Sequence, residues 1–296
     1  MATATSGAST IAFRAMNTEW WITILRCADP SLLAVAEATA WAAEAAFSRF
    51  RADSLLSRLN RDRQLPSRSL ADVVGRALVL QEATVGAFDA RVGPAVAAAG
   101  YDRSFERMAE RPLEPQILLA PPVATLSVQA DGEEVALTGI GGLDLGGIAK
   151  GWAIDRIAEA VEAAGYRDYV IDGGGDIYAG GRGADGEAWP VGVGDGLVAH
   201  LSNAAVATSS TEKRRWVTAT GEAHHIIDPA TGLPSAAAVT NAVVVATDAT
   251  TADALATAVV ADPARGLQAV VALGGGALIE HDGMWSMMRG MERWIR

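Results

Sequence analysis

Apolar and polar residues alternate along two short runs between Ala124 and Thr138, ATLSVQADGEEVALT, and the runs flank Asp131-Gly132. That pattern predicts a β-hairpin. Upstream, Ile11 to Leu25 is rich in Ile, Trp and Thr, which suits an extended strand. From Pro30 to about Phe47 the period lengthens: Leu33, Glu37, Ala40 and Glu44 divide an alanine-rich stretch into a polar and an apolar face, as a helix requires. The next segment, FSRFRADSLLSRLN, reads as loop, and a second helix is expected from about Leu70 to Val85.

Further along, LDLGGIAKGWAIDRIAEAVEAAG predicts a strand ending in Asp144, a glycine turn and a helix. Ile154, Ile157, Ala158 and Val161 supply that helix's apolar side, and Gly165 is a natural C-cap. The pieces DYVIDGGGDIYAGG and WPVGVGD are strand-like and broken by glycine. NAVVVATD predicts a strand before a helix from about Thr251 to Val260, and the tail reads as short strands alternating with glycine turns. Hairpins interrupt any regular βαβ repeat, so the expected class is α+β. No linker or internal repeat divides the chain. The expectation is one integrated domain over residues 11–296, preceded by a disordered N-terminal extension, residues 1–10.

Composition narrows the function. The chain has 296 residues, half of them apolar, enough for a sizeable core. Its formal net charge of -11 argues against a surface for a nucleic-acid backbone, which needs a cationic patch. The single cysteine, Cys27, excludes an internal disulfide and a multi-cysteine zinc site. The opening MATATSGASTIAF has no basic residue before Arg14 and no apolar run of signal-peptide length, and Arg26 stands directly before Cys27, where a lipoprotein anchor has a small residue. No stretch is long and apolar enough to span a membrane, so a cytoplasmic location is expected.

Candidate chemistry sits in three places. HHIIDPATGLPS, His224 to Ser235, sets two of the four histidines side by side before an Asp-Pro turn. That arrangement suits acid/base work near neutral pH, and equally a loop that happens to carry two imidazoles. GGIAKGW is not a Walker A loop, because Lys150 precedes Gly151, and GGGDIYAGG has Tyr178 where a dinucleotide fingerprint needs its third glycine. A glycine turn entering a helix beside Lys150 still offers backbone N–H groups and a cation to a phosphate. In TADALAT, Asp253 and Thr257 are four residues apart, so on a helix their oxygens share a face and can converge on a hard cation. A helix-favouring aspartate with an incidental threonine gives the same letters.

Taken together, MNTEWWI, FSRFRADSLLSRLN, AFDARVGP, LDLGGIAKGWAIDRI, VIDGGGDIYAGG, AVATSS, HHIIDPATGLP and TADALATA resemble, in order and spacing, the ApbE family of FAD:protein FMN transferases. The resemblance runs from about Ala12 to beyond Val260. It implies magnesium-dependent cleavage of the FAD pyrophosphate, with FMN passing to a Ser or Thr hydroxyl of a target flavoprotein and AMP leaving. It implies Mg2+ on the Gly147 carbonyl, Asp253 and Thr257. It implies FAD contacts from Met16, Phe50, Ala87, Phe88, Asp89, Asp144, Lys150 and Ile226. In the catalytic set, His225 would be the base that activates the acceptor hydroxyl, with Asp228 and Thr231 holding its loop; His224 has no implied role. Asn17 and Ser210 stand where the family commonly has glycine, and Phe50 where tyrosine is commoner, which alters the flavin pocket. An FAD pyrophosphatase and a non-catalytic FAD-binding protein are the alternatives.

Overall fold

The β-rich run at the N-terminus, expected to be extended, is a hairpin. Ala8–Ala15 (β1) and Thr18–Leu25 (β2) pair antiparallel across Met16 and Asn17, both at positive φ, 51° and 62°. Two consecutive left-handed residues make a tight turn whose twist suits the flanking strands. Met-Asn is not the glycine pair that usually signals such a turn, so the run hides its own break. The computed structural model describes residues 7–103, 123–218 and 221–295; residues 1–6 of the expected N-terminal extension lie outside them, and residues 8–10, also expected in it, are the start of β1.

Helices Ser31–Phe47 (α1) and Arg68–Ala83 (α3) fall where the periodicity predicts them. Between them Leu55–Asp62 (α2) occupies part of the segment expected as loop. Ser54 caps it by accepting the Ser57 N–H, and Leu56 and Leu59 bury one side. Two turns are too short for periodicity to stand out among so many arginines. The short Gln64–Pro66 (β3) pairs with Glu134–Gly139 (β5), the second arm of the expected hairpin, whose first arm is Leu126–Ala130 (β4). Gly93–Ala98 (α4) precedes them in the chain.

The expected strand ending at Asp144 is not a strand. Gly142 makes one isolated bridge to Val92, and residues 143–145 belong to no strand, although the Asp144 N–H donates to the Ala90 carbonyl at 2.8 Å, before helix Ala149–Ala163 (α5) begins. As expected, Gly165 ends that helix in a left-handed conformation, φ 90°. Tyr169–Gly173 (β6) and Ile177–Gly180 (β7) follow, then the hairpin Trp189–Gly194 (β8) and Leu197–Leu201 (β9). Next come Ala204–Ser210 (β10), the hairpin Arg215–Thr218 (β11) with Gly221–His224 (β12), and the short pair Ile227–Asp228 (β13) and Leu233–Pro234 (β14). Val239–Ala246 (β15) leads into helix Ala249–Ala261 (α6). The tail adds a helix, Pro263–Ala272 (α7), where strands and turns were expected, then Gly276–His281 (β16) and Met284–Met287 (β17). Asp262 caps α7 and Pro263 opens it, a start signal that the glycines beyond Leu273 mask.

Eight strands form the main sheet, antiparallel throughout, in the order β1-β2-β6-β7-β10-β15-β16-β17. Along β15, Ala242, Val244 and Ala246 join the core on the helical face, while Val243 and Val245 join a second core on the other face. A strand buried on both faces reads as an unbroken apolar run, which NAVVVA is. Helix α6 packs on β10 and β15 and is covered by α5, so it is buried nearly all round. Such a helix cannot show amphipathic periodicity. No helix among the described residues is long and apolar enough to cross a membrane. The architecture is α+β.

Candidate active site

Because α6 is wrapped in apolar contacts, a carboxylate on it must have a reason. Asp253 is 5 % exposed, and its Oδ2 accepts the Gly151 N–H at 3.1 Å, from the first turn of α5. One turn further along, Thr257 Oγ1 lies 3.2 Å from Ser209 Oγ on β10. The glycine turn closes from the third side: a Cβ placed on Gly147 would come within 2.8 Å of Thr257 Oγ1. Gly147, Asp253 and Thr257 therefore meet, and Ser209, which the sequence reading passed over, meets them. All four border one cavity of about 970 Å3.

Burial pushes the Asp253 carboxyl up, and the charge of Lys150 pulls it back. Lys150 is itself held in an ion pair with the buried Asp176, whose Oδ1 accepts the Thr208 N–H at 3.1 Å. The described residues contain no group of three His, Cys, Asp or Glu side chains placed to hold a metal. What they do contain here is one carboxylate, two hydroxyls and the Gly147 backbone pressed against one of them. Those are hard oxygen donors in a number that suits Mg2+, an ion that keeps several waters and takes the rest of its shell from substrate phosphate. The residues fit the ion.

The paired histidines divide their work. His224 is buried, with Nε2 3.0 Å from the Ser235 carbonyl and Nδ1 accepting the Ile226 N–H at 3.3 Å, so both ring nitrogens hold the loop. His225 points to the cavity, where its ring lies 6.2 Å from that of Tyr101. Its Nδ1 is buried with no hydrogen-bond partner. The ring keeps some accessible surface on the cavity side but is otherwise deep among protein atoms. Burial, reinforced by the charge of Arg214, pushes the imidazole down to about 3. Asp228 and Thr231 are not in the cavity wall. Asp228 Oδ1 accepts the Ala230 N–H at 2.9 Å and its carbonyl accepts the Gly232 N–H at 2.8 Å, while Thr231 Oγ1 accepts the Leu233 N–H at 3.3 Å. They close the turn that follows His225.

The remaining expected residues line the same cavity. Met16 is held at its left-handed φ, a conformation that costs a non-glycine residue about 1–2 kcal/mol, while its N–H donates to Glu44 Oε2 at 2.7 Å. Ala87, Phe88 and Asp89 are buried, and Asp89 takes an ion pair from Arg91 at 2.5 Å and the Gln81 amide at 3.1 Å. Asp144 is engaged on both oxygens, by Arg49 Nε at 2.7 Å and by the Gly146 N–H at 2.6 Å. Arg49 in turn lies 4.2 Å from the Phe50 ring centroid and 4.6 Å from that of Tyr101, building an aromatic wall. Ile226 is buried beside His225.

A second residue missed in sequence explains why α6 is so well placed. Asp155 on α5 accepts the N–H groups of Ala249 and Thr250 at 2.8 and 2.9 Å, and the Thr250 hydroxyl, so it caps α6 from another helix. Asp248 caps the same helix locally through the Thr251 N–H at 2.8 Å. Burial pushes the Asp155 carboxyl up to about 6, against the pull of the hydrogen bonds from Thr250 and Ala249. Asp155→Ala is expected to destabilise the fold by roughly 2 kcal/mol, because it strands buried donors at a helix N-terminus. A urea-unfolding midpoint indistinguishable from wild type would show that Asp248 suffices.

The chain as a whole resembles known proteins. The profile of the ApbE family matches residues 16–278. The FAD:protein FMN transferase of Haemophilus influenzae is 30 % identical over 235 residues, spanning 72 % of this chain and 67 % of the relative. That of Treponema pallidum is 32 % identical over 242 residues, spanning 73 % and 67 %. Among solved structures, the flavin transferase ApbE from Vibrio cholerae matches with a TM-score of 0.80 at 23 % identity, over 97 % of this chain and 99 % of that one. The ApbE protein from Thermotoga maritima matches with a TM-score of 0.82 at 24 % identity, over 98 % and 100 %. The fold is thus the α+β fold of those two structures. The chain belongs to the ApbE family.

Proposed function

We propose that this chain is an FAD:protein FMN transferase that works with Mg2+, moves FMN from FAD to a Ser or Thr hydroxyl of a target flavoprotein and releases AMP. The observation that carries the reading is the meeting of Gly147, Asp253, Thr257 and Ser209 on one cavity that His225 also borders. Flavin binding alone has no use for a buried carboxylate among hydroxyls. The names of the Haemophilus influenzae and Treponema pallidum relatives agree with the reading.

Chemically, the acceptor oxygen forms a bond to the FMN-side phosphorus, the bridging P–O bond breaks, and its electron pair leaves with AMP. The imidazole of His225, which borders the cavity, receives the acceptor proton. Asp253, Thr257, Ser209 and the Gly147 carbonyl would hold Mg2+, which supplies positive charge against the pyrophosphate oxygens when bound. The aromatic wall of Phe50 and Tyr101 offers stacking surface for a flat ring, and Met16 with Ala87, Phe88 and Ile226 makes the apolar lining. His224, Asp228 and Thr231 keep the His225 loop in place, which matters because a displaced base loses most of its effect.

Incubation with FAD, Mg2+ and a candidate flavoprotein tests the proposal. The expected result is a mass gain of one FMN on a Ser or Thr of the acceptor, with AMP release slow until the acceptor is added. AMP and free FMN formed at a rate indifferent to the acceptor would make the chain a pyrophosphatase instead.

A further inference from the structure

The turn between β10 and β11 carries Lys213 and Arg214, and Arg215 opens β11. Arg215 faces outward and pairs with Glu222 at 2.6 Å. Arg214 is half-buried, lines the cavity, and has no carboxylate within ion-pair distance among the described residues. Among the other cations of the wall, Lys150 is paired with Asp176, Arg51 with Asp53 at 3.3 Å, and Arg49 with Asp144 through Nε at 2.7 Å, its Nη2 being buried without a partner; Lys213, beside Arg214, is exposed to water.

The position of Arg214 is set by the neighbouring ladder. Arg215 pairs with His224 and Trp216 with Ala223, so one step further along the same antiparallel register Arg214 comes opposite His225. Trp216 anchors the register: it is buried, its Nε1 donates to the Ala99 carbonyl at 2.8 Å, and its ring stacks on Tyr101 at 5.4 Å. Arg214 borders the same cavity as His225, Asp253 and Lys150. An unpaired guanidinium drawn partly out of water is costly, and an anion seated against it would remove the cost. In a chain with a net charge of -11, such a group on the cavity wall has a specific meaning.

We propose that Arg214 is a further catalytic residue, which grips the diphosphate of the bound dinucleotide and stabilises the negative charge gathering on the AMP phosphate as the bridging P–O bond breaks. The planar fork of arginine suits two phosphate oxygens at once, which lysine does not match. The inference rests on the FAD reading above.

Binding and turnover of wild type, Arg214→Gln and Arg214→Lys separate the two claims, with FAD, ADP and riboflavin as probes, each with and without Mg2+. Arg214→Gln is expected to weaken FAD and ADP by about ten- to a hundred-fold, the scale of one charged hydrogen-bonding partner, and to leave riboflavin binding unchanged. FMN transfer at saturating FAD should fall by about a hundred-fold or more. Arg214→Lys should recover much of the ADP affinity and little of the rate. Unchanged riboflavin binding also shows that the variant is folded. Equal losses for riboflavin and ADP would mean that Arg214 merely shapes the pocket, and unchanged ADP affinity with a near-normal rate would remove it from the mechanism; both overturn the inference while leaving the function intact. A wild type that neither binds FAD nor transfers FMN would overturn the function itself.

Discussion

Replacing His225 by alanine is expected to lower FMN transfer by roughly two to four orders of magnitude, the scale of a positioned general base, with FAD affinity little changed. His224→Ala should act differently. Both ring nitrogens of His224 serve the loop, so its loss is expected to cost stability and only secondarily rate. Single-turnover transfer separates the two: equal rate losses in both variants, or a near-wild-type rate for His225→Ala, would take His225 out of the chemistry.

The surroundings of His225 add a pH signature. Its folded value of about 3 lies below the ordinary histidine value of 6.5, because burial and Arg214 disfavour the cation. The unfolded chain therefore takes up a proton between pH 6.5 and 3 that the folded chain refuses. His225 thus costs stability as pH falls through that window, by up to about 1.4 kcal/mol per pH unit, and costs nothing above it. Relative to wild type, His225→Ala should then gain stability between pH 6 and 4, readable as converging or crossing urea midpoints. In the complex, the FAD diphosphate offsets the part of the shift that comes from Arg214, so the imidazole should rise from its value in the free protein, while the part due to burial stays. An NMR titration with and without ADP reads that rise directly.

Most of the elements were legible in the chain and a few were not, for identifiable reasons. The hairpin around Asp131-Gly132 and the helices α1 and α3 follow from period alone. Helix α2 was hidden because two turns carry too little periodicity, and α6 was legible by its neighbours more than its pattern, since a helix buried on every side alternates nothing. The β1–β2 turn was hidden by its letters, yet the structure explains them: the position commonly glycine in the family is left-handed here, and asparagine is the side chain that best tolerates that region. Ser210 is likewise accommodated, buried with its Oγ accepting the Glu212 N–H at 3.0 Å. At the site, Asp253 and Thr257 could be paired from helical spacing, but Ser209, Asp155 and Arg214 could not. They reach the site across strand register and helix packing, and no linear spacing encodes a contact between residues 94 apart, such as Ala249 and Asp155.

The oxygen cluster supports the sharpest test. Asp253→Asn keeps the shape of the side chain and an oxygen to accept the Gly151 N–H, while removing the only carboxylate of the Gly147, Ser209, Thr257 group. The charge that draws a divalent cation goes with it, so transfer at ordinary Mg2+ is expected to fall by at least two orders of magnitude, a loss typical of removing a main electrostatic contributor. High Mg2+, or Mn2+, should recover part of it, because weakened binding yields to concentration. Thr257→Val should do the same less severely, since a hydroxyl holds a cation less firmly than a carboxylate and Ser209 remains beside it. A readout that does not depend on turnover is available: FAD affinity should rise with Mg2+ in wild type, because ion and diphosphate complete each other's contacts, and the rise should shrink in Asp253→Asn. Lys150 sharpens the interpretation. With the carboxylate gone, the ammonium retains Asp176, so the fold should survive, and a thermal midpoint close to wild type would confine the defect to the site. If calorimetry shows FAD affinity equally insensitive to Mg2+ in both proteins, Asp253 is a structural anchor for the α5 N–H groups and the metal belongs elsewhere.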